Sequence, residues 1–455
     1  MRIIMLSWEY PPGNIGGLGQ HVYDLSRALA RLGVEVHVVC PATDEAPEFQ
    51  KLQEVRIHRV QPYLQATPDY ISWVLQMNIS LLEKATSLIN SVKKVDLIHA
   101  HDWLVAYVSR ALKHSYQIPL VATIHATEHG RNHGLHNNEQ RYIGSVDWWL
   151  TYEAWRVICC SYYMQAELQR VLQLPEDKIK LIRNGVNLQD FIVPEDIKKQ
   201  LPKFRSNYAH PDEKIIYYVG RLVHEKGVQI LLDAVPRILA VYPQSKFIIA
   251  GQGPNEGYLK QKVIEMSTTG QVYFTGYVDD HTRNCLYQCA DVAVFPSLYE
   301  PFGIVALEAM AAGAPVVVPD TGGISELVQP GIDGMTFQTG SAESLARQIL
   351  QILVQPQLAE QIRRQAYQKV ITNFSWDKVA SQTISLYTQV LKDKTEKERL
   401  QSRLAKEGGT EVESDHHGWW RRYKIASANL RSAETHGSSD ESSGDGTHYR
   451  AVEKK

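Results

Sequence analysis

The segment Lys214–Gly251, "KIIYYVGRLVHEKGVQILLDAVPRILAVYPQSKFIIAG", decides the fold, because it repeats a plan that the chain has already used once. It contains an apolar run of strand length, a loop, a helical stretch "GVQILLDAVPRILAVY" and a second apolar run. Short apolar runs alternating with helices imply a parallel sheet covered by helices on both faces. The N-terminal region has the same order: "RIIMLS", a glycine-rich loop, "HVYDLSRALARLG", then "VEVHVVC". Val22, Leu25, Leu29 and Leu32 recur at helical spacing, and Gly33 suits the helix C-cap.

Working outward, the first half continues through the strand candidates "VRIHRV", "DLIHAH", "PLVATIHA", "RVICCS" and "IKLIRNG", with "ISLLEKATSLINSV" as an intervening helix. The second half continues through "QVYFTG", "VAVFPS" and "APVVVP". Residues 1–188 and 189–375 are therefore expected to form two Rossmann-like, doubly wound α/β domains, linked through Asn184 to Pro194. A helix is expected over residues 376–394. Residues 395–455 turn charged and then rich in Ser, Gly, Asp and His, which predicts a disordered C-terminal tail. Within it "HHGWWRRYKI" reads either as a docking peptide or as part of that tail.

A chain of 455 residues with 44% hydrophobic and 22% charged residues suits a soluble enzyme of two or three domains. The formal net charge of −2 gives no electrostatic case for nucleic acid. No apolar run reaches the roughly 20 residues needed to span a bilayer, and the N-terminal run is too short for a signal peptide, so a cytoplasmic protein is expected. Five cysteines, odd in number, sit in apolar runs without a C-x-x-C pair, so they read as buried thiols rather than a disulfide framework or zinc site.

Two facing sheets of this class present their strand C-termini, and hence their ligand loops, to a shared cleft. "PPGNIGGLGQHV" places Gly16, Gly17 and Gly19 before a helix, where backbone N–H groups can meet a phosphate or sugar; a plain tight turn is the other reading. Arg221 and Lys226 follow the first strand of the second half and can clamp a diphosphate, or can be solvated surface charge. In "YEPFGIVALEAMAAGAPVV", Gly303 opens a helix and leaves the N–H groups of Gly303, Ile304 and Val305 accessible to a second anion contact. Glu300 before that helix can accept from sugar hydroxyls, and Glu308 along it can bind a vicinal diol, although each alone can also be a solvated helix carboxylate.

The glycine loop, the R-x-x-x-x-K pair and E-x7-E on a second Rossmann-like half resemble the retaining glycosyltransferases of GT-B fold, over roughly residues 1–392. The likeness is densest in "SWEYPP…GGLGQHV", "HAHDW", "TIHATEHGR", "WWLTYEAWRVICCSYYM", "NGV", "GRLVHEKG" and "EPFGIVALEAMAAGAPVV". The N-terminal motifs look like bacterial α-1,4-glucan synthases of the glycogen synthase type. The resemblance implies an acceptor-binding domain (1–188) and a nucleotide-sugar-binding domain (189–375). It implies donor binding by Gly17, Gly19, Arg221, Lys226, Glu300, Gly303, Ile304, Val305 and Glu308. His125, in "TIHATEHG", matches a histidine beside the donor glucose, although a core histidine is the reading from the residues alone. His125, Arg221, Lys226 and Glu300 are thus the expected catalytic set. No cofactor and no metal are implied, the nucleotide sugar being a substrate.

Asp102 and Trp103 at a strand end, and Glu128 and Arg131 in the loop after another, are candidates for lining the cleft on the acceptor side. His99 and His101 share a strand face, but no further metal-ligand set is evident. Trp148, Trp149 and Trp155 could stack on glucan, or pack in the core. The expected reaction is transfer of glucose from ADP-glucose or UDP-glucose to an α-1,4-glucan. The alternatives are the same donor chemistry on a small acceptor, such as glucose 1-phosphate giving maltose 1-phosphate, and a non-catalytic glucan-binding protein. Nothing in the sequence fixes the oligomeric state.

Overall fold

The computed structural model describes residues 1–13, 16–43, 45–64, 66–92, 94–191 and 195–406. The first half forms an eight-stranded sheet from β1 (Arg2–Leu6), β2 (Glu35–Pro41), β3 (Phe49–Leu52), β4 (Val55–Val60), β5 (Leu97–His101), β6 (Leu120–Thr123), β7 (Arg156–Cys159) and β8 (Ile179–Leu181). The spatial order is β3-β4-β2-β1-β5-β6-β7-β8. All neighbours are parallel except the edge pair β3–β4. The second half forms a six-stranded parallel sheet from β9 (Lys214–Val219), β10 (Ser245–Ala250), β11 (Val272–Gly276), β12 (Val292–Val294), β13 (Val316–Pro319) and β14 (Met335–Phe337). Its order is β11-β10-β9-β12-β13-β14. In both sheets the strand order reverses beside the first strand, which opens a crevice at the strand C-termini there.

The central strands are apolar on both faces, as helix-covered parallel strands must be: Ile3, Ile4, Met5 and Leu6 of β1 and Ile215, Ile216 and Tyr217 of β9 are all fully buried. The helix Gly17–Arg31 buries Val22, Leu25 and Leu29 as its spacing predicts. Leu32 departs from that expectation: it is the C-cap and 45% exposed, with Gly33 following in the left-handed region at φ 85°. Strands β3 and β14 were not expected. β3 is exposed on alternate residues and carries no apolar stripe, and β14 is only three residues long.

The crossing between halves is double. Val186 N donates to Phe374 O at 2.8 Å, and Val186 bridges Ser375, so the outgoing and returning chains run side by side. The final helix then packs on the first domain, its buried residues Val379, Ala380, Thr383, Tyr387 and Val390 forming one stripe. Arg31–Asp377 and Arg156–Asp393, both at 2.7 Å, tie it to that domain. This helix runs from Trp376 to Lys406, beyond the expected residue 394 and into the segment expected to lack order. "TEKERLQSRLAK" is built of strong helix formers without Gly or Pro, which lets the helix propagate although its described side chains beyond residue 394 are exposed. "HHGWWRRYKI" lies outside the described residues.

Candidate functional site

The second domain supplies a cluster in which loops after β9 and β12 meet. Leu298 N and Tyr299 N both donate to Glu225 O, at 2.8 and 3.3 Å, so the loop carrying Arg221 and Lys226 is fastened to the one carrying Glu300. Gly227 makes this approach possible: its φ is 69°, and a Cβ there would sit 1.9 Å from Pro296 O. Lys226 Nζ lies 2.6 Å from Glu300 Oε2, which also accepts from Ser297 Oγ at 3.2 Å. Arg221 is 59% exposed, with Glu225 at 3.7 Å as its ion-pair partner. Gly303, at φ 93°, caps the helix Ile304–Ala311, and Gly323 N donates to Glu300 O at 2.8 Å. Lys226, Glu300, Gly303 and the first residues Ile304 and Val305 therefore gather at one place, with Arg221 on the adjoining loop.

Glu308 stands apart from the solvated helix carboxylate of the alternative reading. It is 7% exposed, accepts from Tyr287 OH at 3.2 Å and has Arg283 Nε at 3.9 Å. Neither partner was anticipated, because both lie on the helix Asp280–Cys289 without a motif of their own.

The first domain brings its candidates together at the ends of β5 and β6. Asp102 Oδ1 accepts from His125 N at 2.7 Å, and Asp102 Oδ2 lies 3.7 Å from Arg131. Asp102 holds φ 58°, ψ 175°, a conformation that an ordinary side chain rarely adopts. Burial raises its carboxyl to about 6, opposed by Arg131 and by backbone N–H groups. Burial pushes the His125 imidazole down to about 3, with the Arg131 cation adding to the shift, so His125 is neutral at physiological pH.

Behind His125 lies a stack of histidines that the sequence only partly revealed. His101 Nδ1 is 3.1 Å from His125 Nε2, the His99 and His101 rings are 4.2 Å apart, and His99 contacts Thr123 Oγ1 at 2.7 Å and Tyr387 OH at 2.6 Å. His101 Nε2 is buried without a partner among the described residues. A proton there would be an orphan donor, so the favoured tautomer has His101 donating from Nδ1 to His125 Nε2. His125 then carries its own proton on Nδ1. His21, from the first helix, adds its ring at 4.7 Å from His125 and bonds Asn184 at 2.7 Å. The ligand atoms of His21, His101 and His125 lie within 4.8 Å of one another, a group that could hold a metal ion and that differs from the His99 and His101 pair noted in the sequence.

The glycine loop is held by an unexpected partner. Glu9 Oε2 accepts from Gly16 N at 2.8 Å and from Gly19 N at 3.3 Å. An anion using the Gly19 N–H would have to displace Glu9; Gly17 faces open space, and Asn14 and Ile15 lie outside the described residues.

Glu128 and Arg131 occupy a one-turn helix capped by Thr127. Glu128 N donates to Asp147 Oδ2 at 3.0 Å, and burial raises the Asp147 carboxyl well above its ordinary range. Gly130 of the same turn leaves room for Tyr299, whose hydroxyl donates to Glu167 at 3.0 Å across the domain boundary. The turn carrying Glu128 and Arg131 thus touches the residue preceding Glu300. Trp149 packs on Tyr107 and Arg110, Trp148 on Tyr152 and Trp155 near Lys397, so the tryptophan cluster is packing and not one stacking surface.

Comparison with known proteins follows this division into halves. Residues 15–190 match the model of Glycosyltransferase Family 4, and residues 200–369 match that of Glycosyl transferases group 1. An uncharacterized glycosyltransferase of Methanocaldococcus jannaschii is 37% identical over 387 residues, 85% of this chain and 98% of that one. A glycogen synthase of Mycobacterium tuberculosis is 35% identical over 401 residues, 85% of this chain and 94% of that one. The solved sucrose-phosphate synthase of Thermosynechococcus elongatus superposes with a TM-score of 0.76 at 26% identity, covering 86% of this chain and 99% of that chain. Two parallel-sheet domains with their loops converging between them, matched along almost the whole length of relatives above 30% identity, place the chain in its family: it belongs to the group 1 glycosyltransferases of GT-B fold.

Proposed function

We propose that the protein is a retaining glucosyltransferase that moves glucose from ADP-glucose or UDP-glucose to the end of an α-1,4-glucan, without a metal or cofactor. The observation that carries this reading is the 2.6 Å Lys226–Glu300 pair beside Arg221, next to Tyr299, whose hydroxyl reaches Glu167 of the first domain. Transfer breaks the bond between the anomeric carbon and the diphosphate oxygen and forms one to an acceptor hydroxyl, whose proton goes to the leaving phosphate. Arg221 and Lys226 would meet the negative charge that grows on the diphosphate, a charge-stabilising role that needs no protein nucleophile. Glu300 would accept from glucose hydroxyls, and His125, uncharged, would donate one hydrogen bond to the same sugar. The buried Glu308 would take the ribose diol. This division of labour separates the two glutamates from the acid and nucleophile pair of a glycosidase. The relative named as a glycogen synthase supports the glucan acceptor.

The test is release of nucleoside diphosphate from ADP-glucose and UDP-glucose, with and without glycogen and with EDTA. Glycogen-dependent, EDTA-insensitive release is expected, falling on the order of 100-fold to 1,000-fold in Lys226→Ala and Glu300→Ala. Release that ignores glycogen but responds to glucose 1-phosphate would move the acceptor to the small sugars. No release from either donor would remove the proposal.

A further inference from the structure

Four aromatic rings that no motif singled out as a group stand on the first domain's side of the cleft. Trp8 follows β1 by two residues, Trp103 follows β5 by two, and Tyr70 and Trp73 open the helix Tyr70–Ser91 that begins after β4. Strands β1 and β5 are parallel neighbours, so Trp8 and Trp103 emerge side by side at the strand C-termini. The rings touch in sequence: Trp8 meets Trp73 edge-on at 5.0 Å, Trp73 stacks with Tyr70 at 6.2 Å, and Tyr70 meets Trp103 edge-on at 6.3 Å. Tyr70 is 46% exposed, Trp8 and Trp73 are half-buried, and Trp103 forms the buried floor.

The surroundings give this patch a chemistry. Arg131 and Glu128 lie close enough to shift the Tyr70 hydroxyl electrostatically, and Asp102, adjacent to Trp103, pairs with Arg131 and holds His125. Aromatic faces beside planar, charged hydrogen-bonding groups suit a pyranose, whose C–H face packs on a ring while its equatorial hydroxyls reach the rim. The same surroundings disfavour a phosphorylated acceptor. Arg131 is the one cation acting on all three of Tyr70, Asp102 and Glu128, and it is already shared among carboxylates. A phosphate there would meet Asp102 and Glu128, and among the described residues Arg131 is the cation that acts on all of these groups, so a second to clamp it is not supplied by them.

We propose that Tyr70, Trp73 and Trp8 form the platform on which the acceptor chain lies, and that they select a neutral oligosaccharide over a sugar phosphate. This inference rests on the glucosyltransferase reading for its biological sense, but its test needs no turnover. Maltoheptaose is titrated into the full chain and followed by tryptophan fluorescence and calorimetry, with ADP and UDP binding measured in parallel. Saturable binding with a change in tryptophan emission is expected, weakened at least tenfold in Tyr70→Ala and Trp8→Ala and retained in Tyr70→Phe, which keeps the ring. Nucleotide binding stays unchanged in all three, and thermal melts and far-ultraviolet circular dichroism matching the wild type report that the first domain folds. Maltoheptaose affinity equal in the wild type and both alanine variants overturns the platform, as does binding of glucose 1-phosphate in preference to maltoheptaose. Platform-dependent binding by a chain that turns over no donor leaves this inference standing and removes the reaction proposed above. Turnover onto glycogen that is indifferent to Tyr70→Ala and Trp8→Ala removes the platform alone.

Discussion

Asp102 concentrates two costs in one residue, a left-handed backbone at φ 58° and a buried carboxylate, at the point where it holds His125. The backbone strain alone is of order 1–3 kcal/mol, and it is held in place by Asp102 N donating to Thr123 O at 3.0 Å. The carboxyl is raised from 3.8 to about 6, so between roughly pH 4 and pH 6 the folded chain holds a proton that the unfolded chain has released. Stability attributable to this group therefore falls as pH rises through that window, by at most about 3 kcal/mol. Asparagine is nearly the same shape as aspartate and keeps an oxygen for the His125 N–H, but carries no charge to desolvate. Asp102→Asn should flatten the dependence of Tm on pH between pH 4 and 7 while lowering turnover, because Arg131 loses the first of the carboxylates it is shared among. Parallel thermal melts and initial rates check this; an unchanged pH slope would show that Asp102 is not the group that titrates. Asp102 could be picked from the sequence as a cleft residue at a strand end, but its strain and its raised carboxyl depend on the Thr123 and His125 segments, which lie elsewhere in the chain.

The last helix shows how an element can belong to a domain other than the one that precedes it in sequence. Its stripe at Trp376, Val379, Ala380, Thr383, Tyr387 and Val390 recurs with helical period and packs on the helix Gly17–Arg31. Tyr387 then reaches beneath β5 to His99, which stacks on His101, which in turn contacts His125. Tyr387→Phe would leave a buried His99 nitrogen without its partner, and a loss of about 1–3 kcal/mol is expected from denaturant melts. Ending the chain after Lys397 should change the melting temperature by no more than about 2 °C, because the described side chains beyond that point are exposed. A large drop would show that the exposed turns or the tail support the domain. The alternation of strands and helices, and the restart at Lys214, were legible because parallel strands buried on both faces are written as continuous apolar runs. β3 and β14 were illegible because neither carries such a run. The extension of the last helix to Lys406 was hidden by composition: a charged surface helix and a charged unfolded tail differ little in amphipathic pattern. Among site residues, Lys226 with Glu300 and Asp102 with His125 were each assigned to the cleft. Glu9, His21, Tyr70 and Arg283 were not, since their contacts form only when separate segments converge.

At the scale of the whole molecule, the domains are joined by the paired crossing near Val186 and Phe374 and by a contact in which one domain caps a helix of the other. Glu326, on the second domain, accepts from Tyr163 N at 2.8 Å and Tyr162 N at 3.2 Å, the first residues of the first domain's helix Tyr162–Leu172, and also pairs with Arg183 at 3.2 Å. Ser161, the N-cap of that helix, donates to Pro301 O at 2.6 Å, next to Glu300. A carboxylate at a helix N-terminus adds about 0.3–1 kcal/mol in exposed settings and more when partly buried, comparable with the small energies that set a domain-opening equilibrium. Glu326→Ala should therefore shift the ensemble toward open forms without touching either domain's interior. The expected signature is a larger radius of gyration in small-angle scattering and lower turnover, with nucleotide affinity preserved because the proposed donor contacts, Arg221, Lys226 and Glu300, all lie within the second domain. Small-angle scattering of the wild type should contract when nucleotide and maltoheptaose are both present, as expected of a site completed only when two domains approach. If Glu326→Ala matches the wild type in both scattering and kinetics, the orientation of the domains is held by the contacts that remain, the crossing at Val186 and Phe374 with Ser161–Pro301 and Tyr299–Glu167, and the Glu326 contact is incidental to catalysis.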